Sequence, residues 1–475
     1  MAFANLVRSV RDLVLGRRPR SIVDAARAVQ AEEHLRIHRS RDYLDRGDPA
    51  AAAAEAKEIE RLDPTNKVAR DLRAAAARSE PIRGRSTNRL AAQDVQDAQA
   101  QLVAEGHARP AVLLYHQASP DSPYQDLVYR QAWQHGIAPI PLHDLADLAV
   151  AERALAPETR RILHLHWVNR VLAGATGPDE ADRRVAAAAA TLDRARQAGW
   201  AIAWTVHNIL PHDAALPEAE AHLRRTIVDR ADLVHVMTAS TAELAAPLYR
   251  IPPERTVHVP LPSFRGAYAD IVSRSAARFS LGLPGDARVI SLVGGLRPYK
   301  GLDLLLDGFD RALTAHPDLH LLIAGLPSRS PEIGAFVERA VAQRNVHLHG
   351  RMIPADDMQL FLRASDAVVL PYVRTLNSAL LMLALAFDLP VIAPDLGGIP
   401  EIVGPEIATI FPAGDVDALA EALGAVRTIS PETATIARRI CDTHDADVLS
   451  GRLMVELRQL VDARAPGRAG TAGSR

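Results

Sequence analysis

The chain has very little cysteine, few aromatic residues and no strong charge imbalance. Cys441 is its single cysteine, so neither an internal disulfide nor a cysteine-rich zinc site can form, and a reducing cytoplasm is the expected compartment. Aromatic residues make up 4%, and no apolar run reaches the length of a membrane span. The first residues lack the apolar core and small-residue cleavage site of a secretory signal. Because the formal net charge is only −2, we do not expect nucleic acid as a partner.

Length and composition predict a globular protein of two or three domains. A chain of 475 residues is too long for one hydrophobic core, and its 48% hydrophobic and 24% charged residues are typical of a globular fold. We divide it into a helical region with a connector (1–107), a first α/β domain (108–265) and a second α/β domain (266–463). The Gly-, Ala- and Arg-rich tail (464–475) is expected to be disordered.

The first 107 residues have helical periodicity, and their role is open. Residues 3–15 place apolar side chains on one face with arginines beside it. Such a helix either lies on the anionic inner face of a membrane or begins the following domain, and we favour the second interpretation. The run RSRDYLDRGDPAAAAAEAKEIERLDPTNKVARDLR resembles a tetratricopeptide repeat. One repeat is too few to bury a core, so this segment docks on the main body or binds a protein partner.

Short apolar runs alternate with helical segments through the rest of the chain. In the first domain the candidate strands are 111–115, 137–140, 162–166, 201–206 and 233–237. In the second domain they are 289–293, 319–324, 346–348, 367–370, 391–393 and 408–411. This alternation predicts two Rossmann-like, doubly wound parallel sheets, whose ligands bind at the carboxyl ends of the strands.

The run VISLVGGLRPYKG contains the features of an anion site. A buried strand ends at Gly294 and Gly295, two cations follow at Arg297 and Lys300, and a helical segment starts after Gly301. Glycines let backbone N–H groups approach a ligand, and a helix N-terminus favours negative charge. The arrangement predicts a diphosphate site. The alternative is an ordinary turn with surface cations.

Several motifs in order resemble a known family. VGGLRPYKGLDLLLDGF, LHLLIAG, VHLHGRM, LFLRASDAVVLPY and LALAFDLPVIAPDLGGIPEIV are similar to the nucleotide-binding domain of family-4-like (group 1) glycosyltransferases of the GT-B architecture. The resemblance covers roughly residues 108–445. It implies transfer of a sugar from a nucleotide-diphosphate sugar to a glycan or glycolipid acceptor, two domains facing a cleft, and contacts to the base from Gly350, Arg351 and their neighbours. We expect no cofactor and no metal, because the cations neutralise the leaving group and no Asp-x-Asp motif lies in a plausible loop.

Histidines mark the strand ends of the first domain. His207, in WTVHNILPHD, resembles the family histidine that faces the transferred sugar and the acceptor. Imidazole donates or accepts a proton near neutral pH, and the alternative is a histidine that only bonds its own loop. His166 is a second candidate, Trp167 either stacks on an acceptor or packs, and Asp213 is the candidate general base if the reaction inverts configuration.

The second domain departs from the family at the glutamate pair separated by seven residues. Thr375 and Leu383 occupy those positions. The neighbouring polar residues Thr375, Asn377 and Ser378 either cap the next helix or hold a phosphate or sugar oxygen. Glu401 is retained where the family places a glutamate, and is otherwise a first-turn charge. The lost pair leaves a second hypothesis open, a non-catalytic scaffold that uses the helical region to recruit a partner.

Overall fold

The computed structural model describes residues 53–54, 56–57, 90–119, 122–211, 214–427 and 429–463. The predicted amphipathic helix, nearly all of the tetratricopeptide-like segment, Asp213 and the tail from 464 lie outside the described residues.

The first sheet has six parallel strands in the order β2-β1-β3-β4-β5-β6. Its strands are β1 (Ala111–His116), β2 (Ile137–Leu142), β3 (Arg160–Leu165), β4 (Ala201–Val206), β5 (Leu233–Val236) and β6 (Thr256–His258). Every residue of β4 is buried, which explains why its sequence, apart from Thr205, is apolar without alternation. The order reverses between β1 and β3, so the carboxyl ends of these strands open a crevice there.

The second sheet repeats this design, with six parallel strands in the order β12-β11-β10-β7-β8-β9. Its strands are β7 (Arg288–Val293), β8 (Leu319–Ala324), β9 (Val346–His349), β10 (Ala367–Val369), β11 (Val391–Pro394) and β12 (Ala408–Phe411). β7 lies in the centre, between β8 and β10, so the turn after it sits at the middle of the carboxyl edge. The predicted fold class, two doubly wound parallel sheets, is confirmed.

Helices cover both faces of each sheet. Around the first sheet are α1 (Ala92–Ala104), α2 (Tyr124–Val128), α3 (Leu148–Ala154), α4 (Pro178–Gln197), α5 (Pro217–Arg230) and α6 (Thr241–Ala245). Further along the chain are α7 (Arg274–Ser280), α8 (Leu302–Ala315), α9 (Pro331–Ala342), α10 (Met358–Ala364), α11 (Ala379–Ala386), α12 (Ile399–Ile402), α13 (Val416–Gly424), α14 (Pro431–Thr443) and α15 (Ala446–Ala463). α8 buries Leu302, Leu305 and Phe309 on one face, at the spacing expected of an amphipathic helix.

The last helix returns to the first sheet. Ser450 on α15 donates a hydrogen bond to the backbone oxygen of Val128 (2.7 Å) and accepts one from the backbone N–H of Gln131 (3.0 Å). The Gln131 side chain also donates to Asp447 (2.6 Å). α15 therefore contacts the first sheet's layer, although it lies at the far end of the sequence. Within the described part of the chain, no helix has the length and apolar character needed to cross a membrane.

Candidate functional site

The two sheets face each other across a cleft of about 570 Å³. Its wall in the first domain includes Trp167, His207 and Asn208, just beyond β3 and β4. Its opposite wall includes Gly294, Arg297 and Lys300 and the residues around Ser378. A volume of this size is typical of a site for a small organic ligand. The cleft thus brings together the strand ends that the sequence singled out in both domains.

The turn after β7 is built on close backbone packing. Gly294 has a φ of 99°, and Gly325, at the end of β8, has a φ of 156°. A methyl group on Gly325 would overlap the carbonyl of Gly294. A side chain is excluded at Gly325 and would be strained at Gly294 by the positive φ, and Gly294, Gly295 and Gly325 line the cleft.

Lys300 is a buried cation directed at this turn. Its side chain is only 6% exposed, and its Nζ lies 3.4 Å from the backbone oxygen of Val293. Burial, followed by the positive charge of Arg297, lowers the pKa of Lys300 to about 8. No carboxylate neutralises this ammonium among the described residues, so a bound anion would remove an existing cost.

Arg297 is held by backbone acceptors. Its guanidinium donates to the carbonyl oxygens of Leu296 (3.0 Å) and Leu326 (3.2 Å). These bonds orient the cation along the cleft wall without neutralising it, because neutral carbonyls leave its charge uncompensated. Arg297 and Lys300 therefore place two positive charges on one wall of the cleft.

The helix N-terminus that reaches the cleft is not the one expected. Gly301 has a φ of 63° and packs tightly against Pro371, so that a methyl group on Gly301 would overlap the Pro371 carbonyl. Neither Gly301 nor Leu302, at the start of α8, lines the cleft. The cleft is instead lined by Ser378, Ala379 and Leu380, at the start of α11. The Ser378 hydroxyl accepts a bond from the N–H of Leu381 (3.1 Å), so Ser378 is a helix cap.

The other polar residues of this loop stabilise the domain interface. Asn377 donates from its amide to the backbone oxygen of His207 (3.2 Å), and its amide oxygen accepts from Thr238 (2.6 Å). The Thr375 hydroxyl donates to the backbone oxygen of Asn377 (2.9 Å). Thr375 and Asn377 still line the cleft, but their hydrogen bonds hold the loop against the first domain.

Leu383 also lines the cleft, beside Thr375. The two positions predicted to correspond to the family's glutamate pair therefore both line the cleft, one with a hydroxyl and one with a leucine side chain that is 6% exposed. A carboxylate at either position would have accepted hydrogen bonds from a ligand, and an apolar surface replaces it at Leu383.

Glu401 bonds the first domain and does not line the cleft. Its carboxylate accepts from the backbone N–H groups of Ala239 (2.7 Å) and Ser240 (3.0 Å) and from the Ser240 hydroxyl (2.6 Å). Partial burial opposes ionisation, yet these donors hold the pKa of Glu401 below its usual value. Glu401 therefore serves as a latch between the domains, a role that sequence position alone does not reveal.

Gly350 and Arg351 lie just outside the cleft wall. Gly350 abuts Pro327, and the Arg351 guanidinium lies 3.5 Å from the Asp357 carboxylate. The next residues, Met352 and Ile353, do line the cleft. The loop after β9 thus reaches the site through its later residues.

His207 faces the cleft from the end of β4. Its ring stacks on Trp167 with centroids 4.2 Å apart, and its Nε2 lies 3.0 Å from Nδ1 of His166. Burial, together with nearby His235 and His164, holds the pKa of His207 well below its usual range. The ring is consequently neutral at pH 7. Asp213 lies outside the described residues, so its proximity to His207 stays a prediction.

Sequence reasoning missed the polar residues behind His207. His164, Thr205 and His235 lie side by side on β3, β4 and β5, and Tyr129 follows α2; all are buried. A signal was present, because polar side chains interrupt largely apolar strands at nearby positions: Thr205 pairs with His235, and His164 pairs with Ala203, two residues before Thr205.

Solved structures of other proteins share the architecture of two parallel sheets facing a cleft. Anabaena HepE in complex with UDP and glucose aligns with a TM-score of 0.55 at 15% identity, covering 74% of this chain and 99% of that one. Sucrose-phosphate synthase from Thermosynechococcus elongatus aligns with a TM-score of 0.56 at 16% identity, covering 75% and 100%. The chain has the two-domain GT-B fold.

Sequence comparisons point to a narrower group. Residues 287–428 match the family model described as "Glycosyl transferases group 1". The D-inositol 3-phosphate glycosyltransferase of Mycolicibacterium gilvum is 31% identical over 233 residues, covering 46% of this chain and 50% of the relative. The enzyme of the same name from Jonesia denitrificans is 30% identical over 233 residues, covering 44% and 55%. The chain spans about half the length of these curated relatives, and the similarity supports the resemblance to group 1 glycosyltransferases.

Proposed function

We propose that this protein is a glycosyltransferase that moves a sugar from a nucleoside-diphosphate sugar to a glycan or glycolipid acceptor. The observation that carries the proposal is the cleft itself. Lys300 and Arg297, which no carboxylate of the described residues neutralises, lie on one wall and His207 lies on the other. The diphosphate would bind the two cations, the glycine turn and the N-terminus of α11, so that the charge of the leaving group is stabilised as it develops. The acceptor would enter beside His207 and Trp167.

The two cations can supply this stabilisation without a metal ion. Lys300 is desolvated and Arg297 is fixed by backbone carbonyls, so both are preorganised for an anion. Closure of the domains would exclude water from the reacting bond. We further propose that the donor base contacts the loop through Met352 and Ile353, which line the cleft next to Gly350 and Arg351.

A thermal-shift screen against UDP, GDP, ADP and their sugar conjugates tests donor binding. UDP is the first choice, because HepE was crystallised with UDP and glucose. A ligand at about a hundred times its dissociation constant adds roughly 2.7 kcal/mol of stability, which is easily measured. We expect a selective shift that is lost in Lys300→Met, a variant that keeps an unbranched side chain of similar length and removes the charge. Release of nucleoside diphosphate in the presence of a candidate acceptor then tests transfer.

Leu383 and Thr375 favour one other function. Without the glutamate pair the donor sugar and ribose lose two strong acceptors, so a non-catalytic GT-B scaffold is the alternative. That alternative predicts no shift with any nucleotide, or a shift without turnover on any acceptor. A selective shift with turnover would exclude it.

A further inference from the structure

A continuous series of hydrogen bonds runs through the first sheet to His207. The contacts, in order, are Val259 O to His235 Nε2 (2.8 Å), His235 Nδ1 to Thr205 Oγ1 (2.9 Å), Thr205 Oγ1 to His164 Nε2 (2.8 Å), His164 Nδ1 to the Tyr129 hydroxyl (2.8 Å), the Tyr129 hydroxyl to His166 Nε2 (2.7 Å), and His166 Nδ1 to His207 Nε2 (3.0 Å). All members before His207 are buried. The series crosses three neighbouring strands and ends at the cleft.

One end of the series fixes where every proton lies. A backbone carbonyl only accepts, so His235 must carry its proton on Nε2 and donate to Val259. Burial lowers the pKa of His235 to about 4, so the ring is neutral and its Nδ1 is an acceptor. The Thr205 hydroxyl therefore donates to His235 and has only lone pairs left for His164.

The remaining members of the series have their donors and acceptors fixed in the same way. His164 donates from Nε2 to Thr205, and because burial holds its pKa well below the usual range, its Nδ1 is free to accept from Tyr129. The Tyr129 hydroxyl donates to His164 and accepts from Nε2–H of His166. His166, also kept neutral by burial, which lowers its pKa, then accepts at Nδ1 from Nε2–H of His207.

We propose that Thr205, His164 and Tyr129 are positioning residues, which hold His207 as the Nε2–H tautomer and leave an unprotonated Nδ1 for a substrate hydroxyl in the cleft. His207 lines the cleft, and its Nδ1 has no hydrogen-bond partner among the described residues. A neutral imidazole with a free Nδ1 accepts a hydrogen bond or a proton from a sugar hydroxyl. The catalytic consequence rests on the proposed function, whereas the tautomer itself does not.

Thr205 provides the sharpest test, because its hydroxyl donates to His235 and accepts from His164, and so passes on the direction of hydrogen-bond donation that the Val259 carbonyl fixes. Thr205→Val has nearly the same shape but no hydroxyl, so His164 no longer has an acceptor for its Nε2 proton. The series can then reverse. His164 donates from Nδ1 to Tyr129, Tyr129 donates to His166, and His166 donates to His207. His207 would then carry its proton on Nδ1. Thr205→Ser restores the hydroxyl and is the matched control.

Nitrogen-15 NMR of the histidine-labelled full chain reads the tautomers directly, without any substrate. We expect His207 to show a protonated Nε2 and an unprotonated Nδ1 in the wild type and in Thr205→Ser. In Thr205→Val we expect a shift towards Nδ1–H. An Nδ1–H tautomer in the wild type would overturn the proposal, as would an unchanged His207 in Thr205→Val.

Tyr129→Phe gives a second break in the series, should Thr205→Val fold poorly. Tyr115→Phe is its control, because Tyr115 packs 4.9 Å from Tyr129, between ring centroids, but is not a member of the series. With UDP-glucose as the probe, or the conjugate selected by the thermal screen, kcat should fall about tenfold in Tyr129→Phe and Thr205→Val, the effect of one lost hydrogen bond. Nucleotide affinity and the Tyr115→Phe rate should be unchanged.

A failure of the proposed function and a failure of the tautomer assignment give different results. If the wild type has the expected tautomer and Thr205→Val shifts it, but no donor is turned over, the proposed function fails and the tautomer assignment stands. If turnover is found and Thr205→Val, Thr205→Ser and Tyr129→Phe all match the wild type in kcat, the positioning role is wrong and the transferase stands.

Discussion

Lys300 is a buried cation without a carboxylate partner among the described residues, and its titration should be visible in ligand binding. Its pKa is lowered to about 8, first by burial and then by Arg297. A bound diphosphate favours the ammonium and raises that pKa again, so binding takes up a proton above pH 8. We therefore expect the nucleoside-diphosphate Kd to be constant near pH 7 and to rise as the pH passes about 8. Calorimetry between pH 7 and 9.5 measures both the Kd and the proton uptake.

Lys300→Met is the control for that titration. It should bind on the order of 10- to 100-fold more weakly, the usual range for a lost charge-assisted hydrogen bond, and should lose the rise between pH 7 and 9.5. A wild-type Kd that does not change between pH 7 and 9.5 would contradict the titration of Lys300. The same rise in Lys300→Met would show that another group is titrating.

Asp366 anchors the strand that leads into the glycine turn. It is 1% exposed and accepts from Arg278 (2.6 Å), from Arg274 and from the N–H of Val289 on β7 (2.8 Å). Asp366→Ala would leave the Arg278 guanidinium, which is buried, without its carboxylate, so we expect a loss of about 3–5 kcal/mol in the free energy of unfolding. Urea denaturation measures the loss.

Asp318→Ala is the control. It breaks a more exposed pair with Arg288 and should cost about 1 kcal/mol or less. Equal losses in the two variants would contradict this ranking.

At the scale of elements, the turn before α8 depends on a glycine. Gly301 has a φ of 63°, and a methyl group there would overlap the Pro371 carbonyl. Gly301→Ala should therefore cost roughly 2–4 kcal/mol and displace Lys300, its neighbour, so that nucleotide binding is lost as well. Gly285→Ala is the control, since nothing lies within 4 Å of its added methyl group and its φ is ordinary. Thermal denaturation with and without nucleotide separates the two variants. Retained binding in a folded Gly301→Ala protein would argue against this role.

The buried histidines His164 on β3 and His235 on β5 make the first sheet sensitive to acid. In the unfolded chain His235 takes up a proton near pH 6.5, whereas burial lowers its pKa to about 4 in the fold. Below pH 6.5 the unfolded state therefore binds more protons, and stability falls as the pH drops towards 4. His235 alone accounts for about 3 kcal/mol over that interval. Thermal denaturation between pH 7.5 and 4.5 should show the decline, and His235→Gln should show a shallower one. An equal decline of stability with falling pH in both proteins would show that groups other than His235 cause it.

Particular elements show what could be predicted from the sequence. The runs at 201–206 and 289–293 are apolar except for Thr205 and Ser291, because both faces of a parallel strand are buried, so strands, sheets and their ligand-binding edges could be predicted. The roles of Asn377 and Glu401 could not, because their partners, Thr238, Ser240 and the His207 backbone, lie in the other domain. A polar side chain near a strand end has the same sequence pattern whether it binds a ligand or another domain.

At the scale of the whole molecule, the two domains are joined on both sides of the cleft. On one side α15 returns to the first sheet through Ser450 and Asp447. On the other, Asn377 and Glu401 bond the first domain, and Gly398 lies so close to Thr238 that a methyl group would overlap its hydroxyl. These contacts hold His207 opposite Lys300, so they bear on the proposed transfer rather than on nucleotide binding alone.

The Glu401 latch gives the last prediction. Its carboxylate accepts three hydrogen bonds from Ala239 and Ser240 across the domain interface. Because the group is exposed, their loss in Glu401→Ala should cost on the order of 1 kcal/mol and shift the balance towards an open cleft about fivefold. The nucleoside-diphosphate Kd should hardly change, since the two cations lie in the second domain, whereas kcat should fall by a similar factor. Small-angle scattering should show a larger radius of gyration than in Glu421→Ala, an exposed control on α13. A fall in nucleotide affinity with unchanged dimensions would instead place Glu401 in the donor site.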